Sequence, residues 1–434
     1  MGLPSLDDLR AVGDPEAEPM LETLAQRHGL MVLAALLDRL LRWDPAGPFP
    51  ASSQELPQAV IDKALEFLHK PGVLDGAMDG ETGGTIDWSR IYRAQMLFSQ
   101  YLHSGLIVLG CASLPACYAF PGVALVLMGS GRLSVQVQRR LEDTSAFLTL
   151  VMSPGALEPP GEDGQSGPGT LWIRKVRLIH ALMRRLTLAD PGEVGVTLAL
   201  EKPSHFLLNL DWKLECDRHG ISNLMPIDQV ELGFVLLTFS WLLVRGFGAL
   251  RVPMTEQEMD DHIYAWAVIG HGLGIDRTLR PLTATAASDL FDRLEAKYVQ
   301  GTQEGRLLVA ALIVYIIIRQ YDAINEKLAA LRKTWAGAIL RQPWVQGLIA
   351  WAKPFIKGCL ESLARTLVRE LAGAQIAGRL WVPRSPFIHW VVGRLFRIAM
   401  SALEYKGREW LMVQFRRRET GLPMAIGRQL EPRR

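Results

Sequence analysis

The chain has few cysteines: Cys111, Cys117, Cys216 and Cys359 among 434 residues. None forms a CxxC pair, and most sit in apolar stretches, so they read as buried thiols and not as a disulfide framework or zinc site. No GxGxxG, P-loop, HExxH or GxSxG is present. Dinucleotide, phosphate-loop, zincin and serine-hydrolase chemistries therefore lack their usual signatures. The first residues, MGLPSLDDLRAVGDPEAEP, are acidic and have no apolar h-region. No signal peptide is expected, Gly2 fits a myristoylation signal poorly, and a cytoplasmic chain is the default. Strand signals are weak; Val194 to Leu200 is β-rich but lies in a helical neighbourhood. There is no internal repeat.

What is abundant is apolar surface, 49% of residues against 21% charged, enough to bury a large core. The net charge of +2 is unevenly placed. From Leu331 onward there are 19 Lys/Arg against 6 Asp/Glu, so the preceding 330 residues carry a net −11. A basic end invites an anionic partner such as a membrane surface. Basic helices pairing with the acidic part of the same chain explain it as well. Two charge-poor runs resemble membrane spans. Gly105 to Gly129 is interrupted by Pro115 and Pro121, and Leu307 to Ile318 is too short to cross about 30 Å, so both read as buried helices.

Helical periodicity runs through almost the whole chain. Expected helices include Met20–Trp43, Glu55–His69, Tyr92–Leu109 behind an Asp87 cap, Tyr118–Met128, Leu133–Met152 and Leu171–Leu188. Later ones are Glu193–Leu210, Asp228–Gly246, Thr255–Leu273, Ala284–Tyr298, Glu304–Ile324, Asn325–Ile349, Phe355–Leu371 and Ile388–Arg418. The Gly/Pro-rich stretch Pro154 to Gly169 reads as a surface loop. The expected architecture is all-α: a flexible arm over 1–18, one large helical domain over 19–330, and a basic helical extension over 331–434.

Leu171 to Leu188, LWIRKVRLIHALMRRLTL, organises this reading. Arg177, His180 and Arg184 stand at i, i+3 and i+7 and project from one helix face. Two guanidiniums beside an imidazole disfavour its protonation, and a neutral imidazole is what a metal binds. The arginines need anions, which the two propionates of a haem would supply. A helix with a hydrogen-bonded core histidine satisfies the same spacing.

Several ordered stretches resemble one family: the helical haem oxygenases that include the latex-clearing rubber oxygenases and the fungal enzyme that cleaves a farnesyl chain in mycophenolic acid synthesis. The carriers are Arg177-x-x-His180-x-x-x-Arg184, the apolar SLPACYAFPGVALVLMGSGRL (Ser113 to Leu133), RRLEDT (Arg139 to Thr144), and the long run His219 to Ile275. The likeness covers about residues 75–325. It implies globin-like helical packing around a non-covalent haem b, in keeping with the absence of CxxCH. By this resemblance His180 is the proximal iron ligand. Arg177 and Arg184 hold the haem, through propionates or through the surrounding scaffold. Arg140 and Thr144, at i and i+4, face the distal side, where the arginine stabilises charge on oxygen and the threonine donates a hydrogen bond. The implied reaction is an oxygenation of a hydrophobic, isoprenoid- or lipid-like substrate, with cleavage of a carbon–carbon double bond as one form.

The sequence departs from the family at two places. Asp143 stands where rubber oxygenases carry a lysine that caps the iron, which implies an open or water-bound distal position. No acidic residue occurs in Gly122 to Gly129, where rubber cleavage has its proposed base, and this argues against rubber as substrate.

His262 and Trp266 share a face of the Thr255–Leu273 helix, while His271 points away; His262 and His103 are fallback ligands. Glu66-x-x-His69 is a lone ExxH, short of what a di-iron bundle needs. Arg416, Arg417 and Arg418, with Trp390, Trp410, Met412 and Phe415, make a basic, aromatic-flanked surface suited to anionic lipid. The expected partners are a hydrophobic small molecule and dioxygen, with peripheral membrane contact as an option and no nucleic acid. Nothing in the sequence sets the oligomeric state. Two other functions fit the residues: a non-catalytic helical module that docks on membranes or partners, and a haem oxidase that inserts no oxygen.

Overall fold

A computed structural model describes residues 4–49, 56–74, 85–129, 132–158, 167–189, 211–221, 225–332, 342 and 361–382. Every regular element among these residues is helical, as expected. In chain order they are α1 (Leu6–Leu9), α2 (Ala17–His28), α3 (Leu30–Arg42), α4 (Gln58–Leu68), α5 (Trp88–Gln100), α6 (Leu102–Val108), α7 (Leu114–Tyr118), α8 (Pro121–Gly129), α9 (Arg132–Val151) and α10 (Pro168–Thr187). There follow α11 (Trp212–His219), α12 (Gln229–Phe239), α13 (Trp241–Ala249), α14 (Glu256–Gly272), α15 (Ala284–Tyr298), α16 (Gln303–Arg332) and α17 (Ala374–Arg379).

Local chemistry explains where many of these begin. Asp87 accepts hydrogen bonds from the Ser89 and Arg90 amides and starts α5. Thr255 and Glu258 form a reciprocal capping box on α14. Asp228 caps α12 by accepting from the Glu231 amide. Between α6 and α7 the backbone widens into a single π-helical stretch, Leu109–Ser113. Such a bulge shifts the face presented downstream.

The helix α10 is the partition of the bundle. It packs on α2, α3 and α4 on one side and on α9 and α14 on the other. Leu178, Ala181, Leu182 and Leu186 are fully buried in a core shared with α2, α3 and α4. Ile173 belongs to the larger core that α5 to α9 and α12 to α16 build. Truncating Leu182 to alanine would cost about 3 kcal/mol, because the site is enclosed on every side.

Several expectations need correction, among them the single helix expected over Tyr92–Leu109, which breaks at Tyr101 into α5 and α6. Residues 4–18 are not a free arm: Ser5 and Asp8 cap α1 reciprocally, and Asp14 is buried. The single helix expected over Met20–Trp43 is two, because Gly29 takes φ +80 between α2 and α3. The helix expected over Asp228–Gly246 divides at Ser240. The two expected over Glu304–Ile349 begin as one continuous helix, α16, to Arg332. Residues 361–382 of the expected C-terminal extension pack into the main core through Val368, Leu371, Ile376 and Ala377. Arg245 donates to the Ala372 carbonyl at 2.8 Å.

Of the two charge-poor runs one is interior, and the other needs correction: the 307–317 stretch of α16 buries Leu308, Val309, Leu312, Ile313 and Ile317 but exposes Leu307 and Val314. Gly110 to Phe120 is buried throughout. Among the described residues, Gln229–Ala249 is long and apolar enough to cross a membrane, yet two thirds of its apolar window is buried in the bundle. The Glu193–Leu210 and Ile388–Arg418 helices, the β-rich run and the basic aromatic surface near Arg416 lie outside the described residues.

Candidate active site

Between α9 and α10 lies a cavity of about 1030 Å3. One face of α10 forms its floor: Leu171, Trp172, Lys175, Val176, Ile179, His180 and Met183. From Leu171 to Met183 this floor runs about 18 Å at the helical rise. Residues 141–147 of α9 form the opposite wall, with Thr144 among them. Val235, Leu236 and Phe239 of α12 and Trp266 of α14 close the side. Trp266 and Phe239 stack with ring centroids 5.6 Å apart. Asp44, Pro45 and Ala46, in the loop after α3, stand at the exposed end. That loop is pinned where Trp43 Nε1 donates to the Gly47 carbonyl at 3.0 Å.

His180 and Thr144 thus face one apolar space, and the Nδ1 atom of His180 is shielded from solvent. Asp143 and Glu142 are exposed at the lip and also line it. The helix backbone of α9 is described through Arg140, but the Arg140 side chain lies outside the described residues. His103 and His262 do not line the cavity. His262 is fully buried, and burial pushes its imidazole down to about 4 although the Phe239 backbone opposes this. It is therefore neutral at physiological pH.

Arg177 and Arg184 lie outside the cavity lining. Their partners are acids of the N-terminal segment. Arg177 donates to both oxygens of Asp14, at 2.6 and 2.9 Å, and lies 2.8 Å from Glu16. Arg184 donates to Glu18 at 2.8 Å and to the carbonyls of Pro226 and Ile227. Arg174, one turn before Arg177 and fully buried, clasps Glu16 with two nitrogens and the Phe67 carbonyl with two. Of the two roles the resemblance implies for these arginines, this geometry suits the scaffold: protein carboxylates already neutralise them, and none needs a propionate. Burial drives the Glu16 carboxyl up, but Arg174, Lys70 and Arg177 outweigh it and hold the group at about 2. Burial likewise opposes ionisation of Asp14, and the Arg177 hydrogen bonds override it, leaving the group below the ordinary carboxylate range.

Two cavity residues escaped the sequence reading. Lys175 is buried, donates to the Trp43 carbonyl at 2.5 Å and lies 4.4 Å from the Trp172 ring centroid. It brings positive charge to the end of the cavity nearest α3. Glu231 brings a carboxyl from α12 against Gly122 of α8, so close that a Cβ on Gly122 would fall 1.8 Å from Oε1. An acidic side chain thus reaches the α8 side of the cavity from a facing helix. Burial, and then the neighbouring Asp228, push this carboxyl up to about 8. Glycine at 122 was the available clue, since only a residue without a side chain admits that approach.

Among the described residues no three His, Cys, Asp or Glu side chains converge as metal ligands. Glu66 of the lone ExxH pairs with Lys63 on an exposed helix face at 2.6 Å. A single shielded imidazole over an apolar slot is the donor set that fits haem, in which the porphyrin supplies the remaining nitrogens. It does not fit a cation that depends on protein ligands alone.

Comparison with known proteins gives two matches. The family model described as "ER-bound oxygenase mpaB/B'/Rubber oxygenase, catalytic domain" matches residues 99–403. The solved structure titled "Structure of Latex Clearing Protein LCP in the closed state" aligns with a TM-score of 0.58 over 93% of this chain and 85% of that one, at 15% identity. This second likeness shows the fold. None of the curated proteins matches.

Proposed function

The chain belongs to the mpaB/rubber oxygenase family and is an enzyme of oxygenase type, and from that premise we propose that it is a haem b-dependent oxygenase of hydrophobic, isoprenoid- or lipid-like substrates. The observation that carries this reading is the shared cavity: one shielded imidazole, His180, on a floor that is apolar apart from Lys175, in a space that Thr144 also lines. When bound, haem supplies the capacity to activate dioxygen. The chain's residues supply the rest. His180 would hold the haem iron through an imidazole nitrogen, on a helix held by three buried arginines and their acids. Thr144 offers a hydroxyl to the opposite side. Phe239, Trp266 and the aliphatic wall exclude water and accept an apolar chain. Asp143, at the lip and exposed, leaves the position facing His180 without a lysine cap. Oxidative cleavage of a carbon–carbon double bond is the form of reaction we favour.

Labelled dioxygen tests this. The purified protein is supplied with a reductant, short polyisoprenoids and unsaturated fatty substrates, and products are weighed by mass spectrometry. Label in carbonyl products supports oxygenation with cleavage. Substrate oxidation without label identifies an oxidase and rejects the oxygenase reading.

A further inference from the structure

At the end of the cavity away from the Asp44 loop one residue has a backbone conformation that its side chain disfavours. Ile227 has φ +53, in the left-handed region. For a β-branched residue this is strained and persists only where surrounding contacts fix it. The contacts are on both ends of its peptide groups. The Ile227 amide donates to Glu231 Oε2 at 2.8 Å. Its carbonyl accepts from Arg184, through Nε at 3.2 Å and through Nη2. Arg184 also holds the Pro226 carbonyl at 3.1 Å. Neither clamp residue is loose. Arg184 is fully buried and paired with Glu18, and the Glu231 carboxyl is wedged against Gly122.

The Ile227 side chain lines the cavity and packs on Leu125, Val126, Trp212 and Cys216. It stands with Met183 at the end of the cavity floor away from Trp172 and the exposed Asp44 loop, and the residues packed behind it on α8 and α11 are buried. A strained, doubly clamped, branched side chain that lines one end of the cavity and is backed by a buried cluster has a plain use. We propose that Ile227 is the end stop of the cavity, a specificity-determining residue that limits how long an apolar chain the site takes. Arg184 and Glu231 are its positioning residues. This inference rests on the reading of the cavity as a site for hydrophobic chains, and it does not require haem. The Glu231 oxygen against Gly122 has no hydrogen-bond partner among the described residues. The groups facing this carboxyl are Asp228 on its own helix, Arg10 of the N-terminal segment, Arg184 of α10 and Cys216 of α11.

The test is a chain-length series. Straight-chain primary alcohols from octanol to octadecanol are titrated against 1-anilinonaphthalene-8-sulfonate bound to the purified full chain. Each methylene that enters an apolar site tightens binding roughly fourfold, so affinity climbs with length until the chain meets the stop. In Ile227→Gly, which adopts the same backbone without strain and without a side chain, the break moves roughly two methylenes longer. Ile227→Val, which keeps the branch, moves it less and serves if the glycine variant melts too low to measure. Glu231→Leu, which releases the Ile227 amide, blurs the break. A break unmoved in Ile227→Gly and Ile227→Val overturns the end stop while leaving the cavity reading intact. If no alcohol displaces the probe from the unaltered protein, the hydrophobic-site reading fails and the end stop falls with it.

Discussion

Asp14 and Arg177, separated by 163 positions, meet through two hydrogen bonds of 2.6 and 2.9 Å with both side chains almost wholly buried. With Glu16 on Arg174 and Glu18 on Arg184, this pair straps the start of the chain to the helix that carries His180. Asp14→Ala leaves a buried guanidinium short of its main partner. It is expected to lower stability by about 3 kcal/mol in urea unfolding, since breaking one side of a buried pair costs far more than an exposed one. A change within the noise of surface substitutions would show the strap to be ornamental.

Acid should loosen the same strap. Glu16 titrates at about 2 in the fold against an ordinary 4.5, and Asp14 is also depressed. A depressed carboxylate stabilises the fold above its unfolded value, and that contribution disappears as pH falls toward the folded one. Stability is therefore expected to drop as pH goes from about 4.5 to about 2, and to drop less steeply in Glu16→Gln. Thermal melts across this range decide it.

Glu231 titrates with the opposite sign. Its folded value, about 8, lies above the ordinary 4.5. The proton is taken up on folding, so this group's contribution is complete below about 4.5 and is lost as pH rises to about 8. Glu231→Gln cannot ionise. The melting temperature of the variant relative to the parent should therefore rise steadily across that interval; a flat difference would mean the carboxyl is already ionised in the fold.

Thr144 shares the cavity with His180 but belongs to the facing helix. Thr144→Val keeps the shape and removes the hydroxyl. Bound haem per chain is expected to stay unchanged while turnover falls roughly a hundredfold, the usual scale for deleting one donor aimed at developing charge. Equal turnover in the two proteins would remove Thr144 from the chemistry.

Much of this molecule was legible in its sequence. The α10 helix was legible from its period, but the common face expected for Arg177, His180 and Arg184 was not: His180 lines the cavity while both arginines turn to the N-terminal acids. The facing of α9 and α10 was implied by the family resemblance, and the two helices do pack together. The N-terminal acids were not legible as partners of Arg174, Arg177 and Arg184, because an acidic stretch without apolar period carries no sign of which distant cations it will meet. Gly29 lies inside a run whose periodicity continues on both sides, so only its positive φ shows the break. Glu231 sits in an apolar helix whose neighbours gave no hint that a glycine opposite would receive its carboxyl.

The most direct measurement is the absorption spectrum of the purified protein beside His180→Ala, with iron and porphyrin assayed on both. The account predicts a Soret band and about one haem per chain in the parent, and loss of the band in a variant that melts like the parent. A parent that folds, is supplied with haem and remains colourless would contradict it, as would a variant whose spectrum is unchanged.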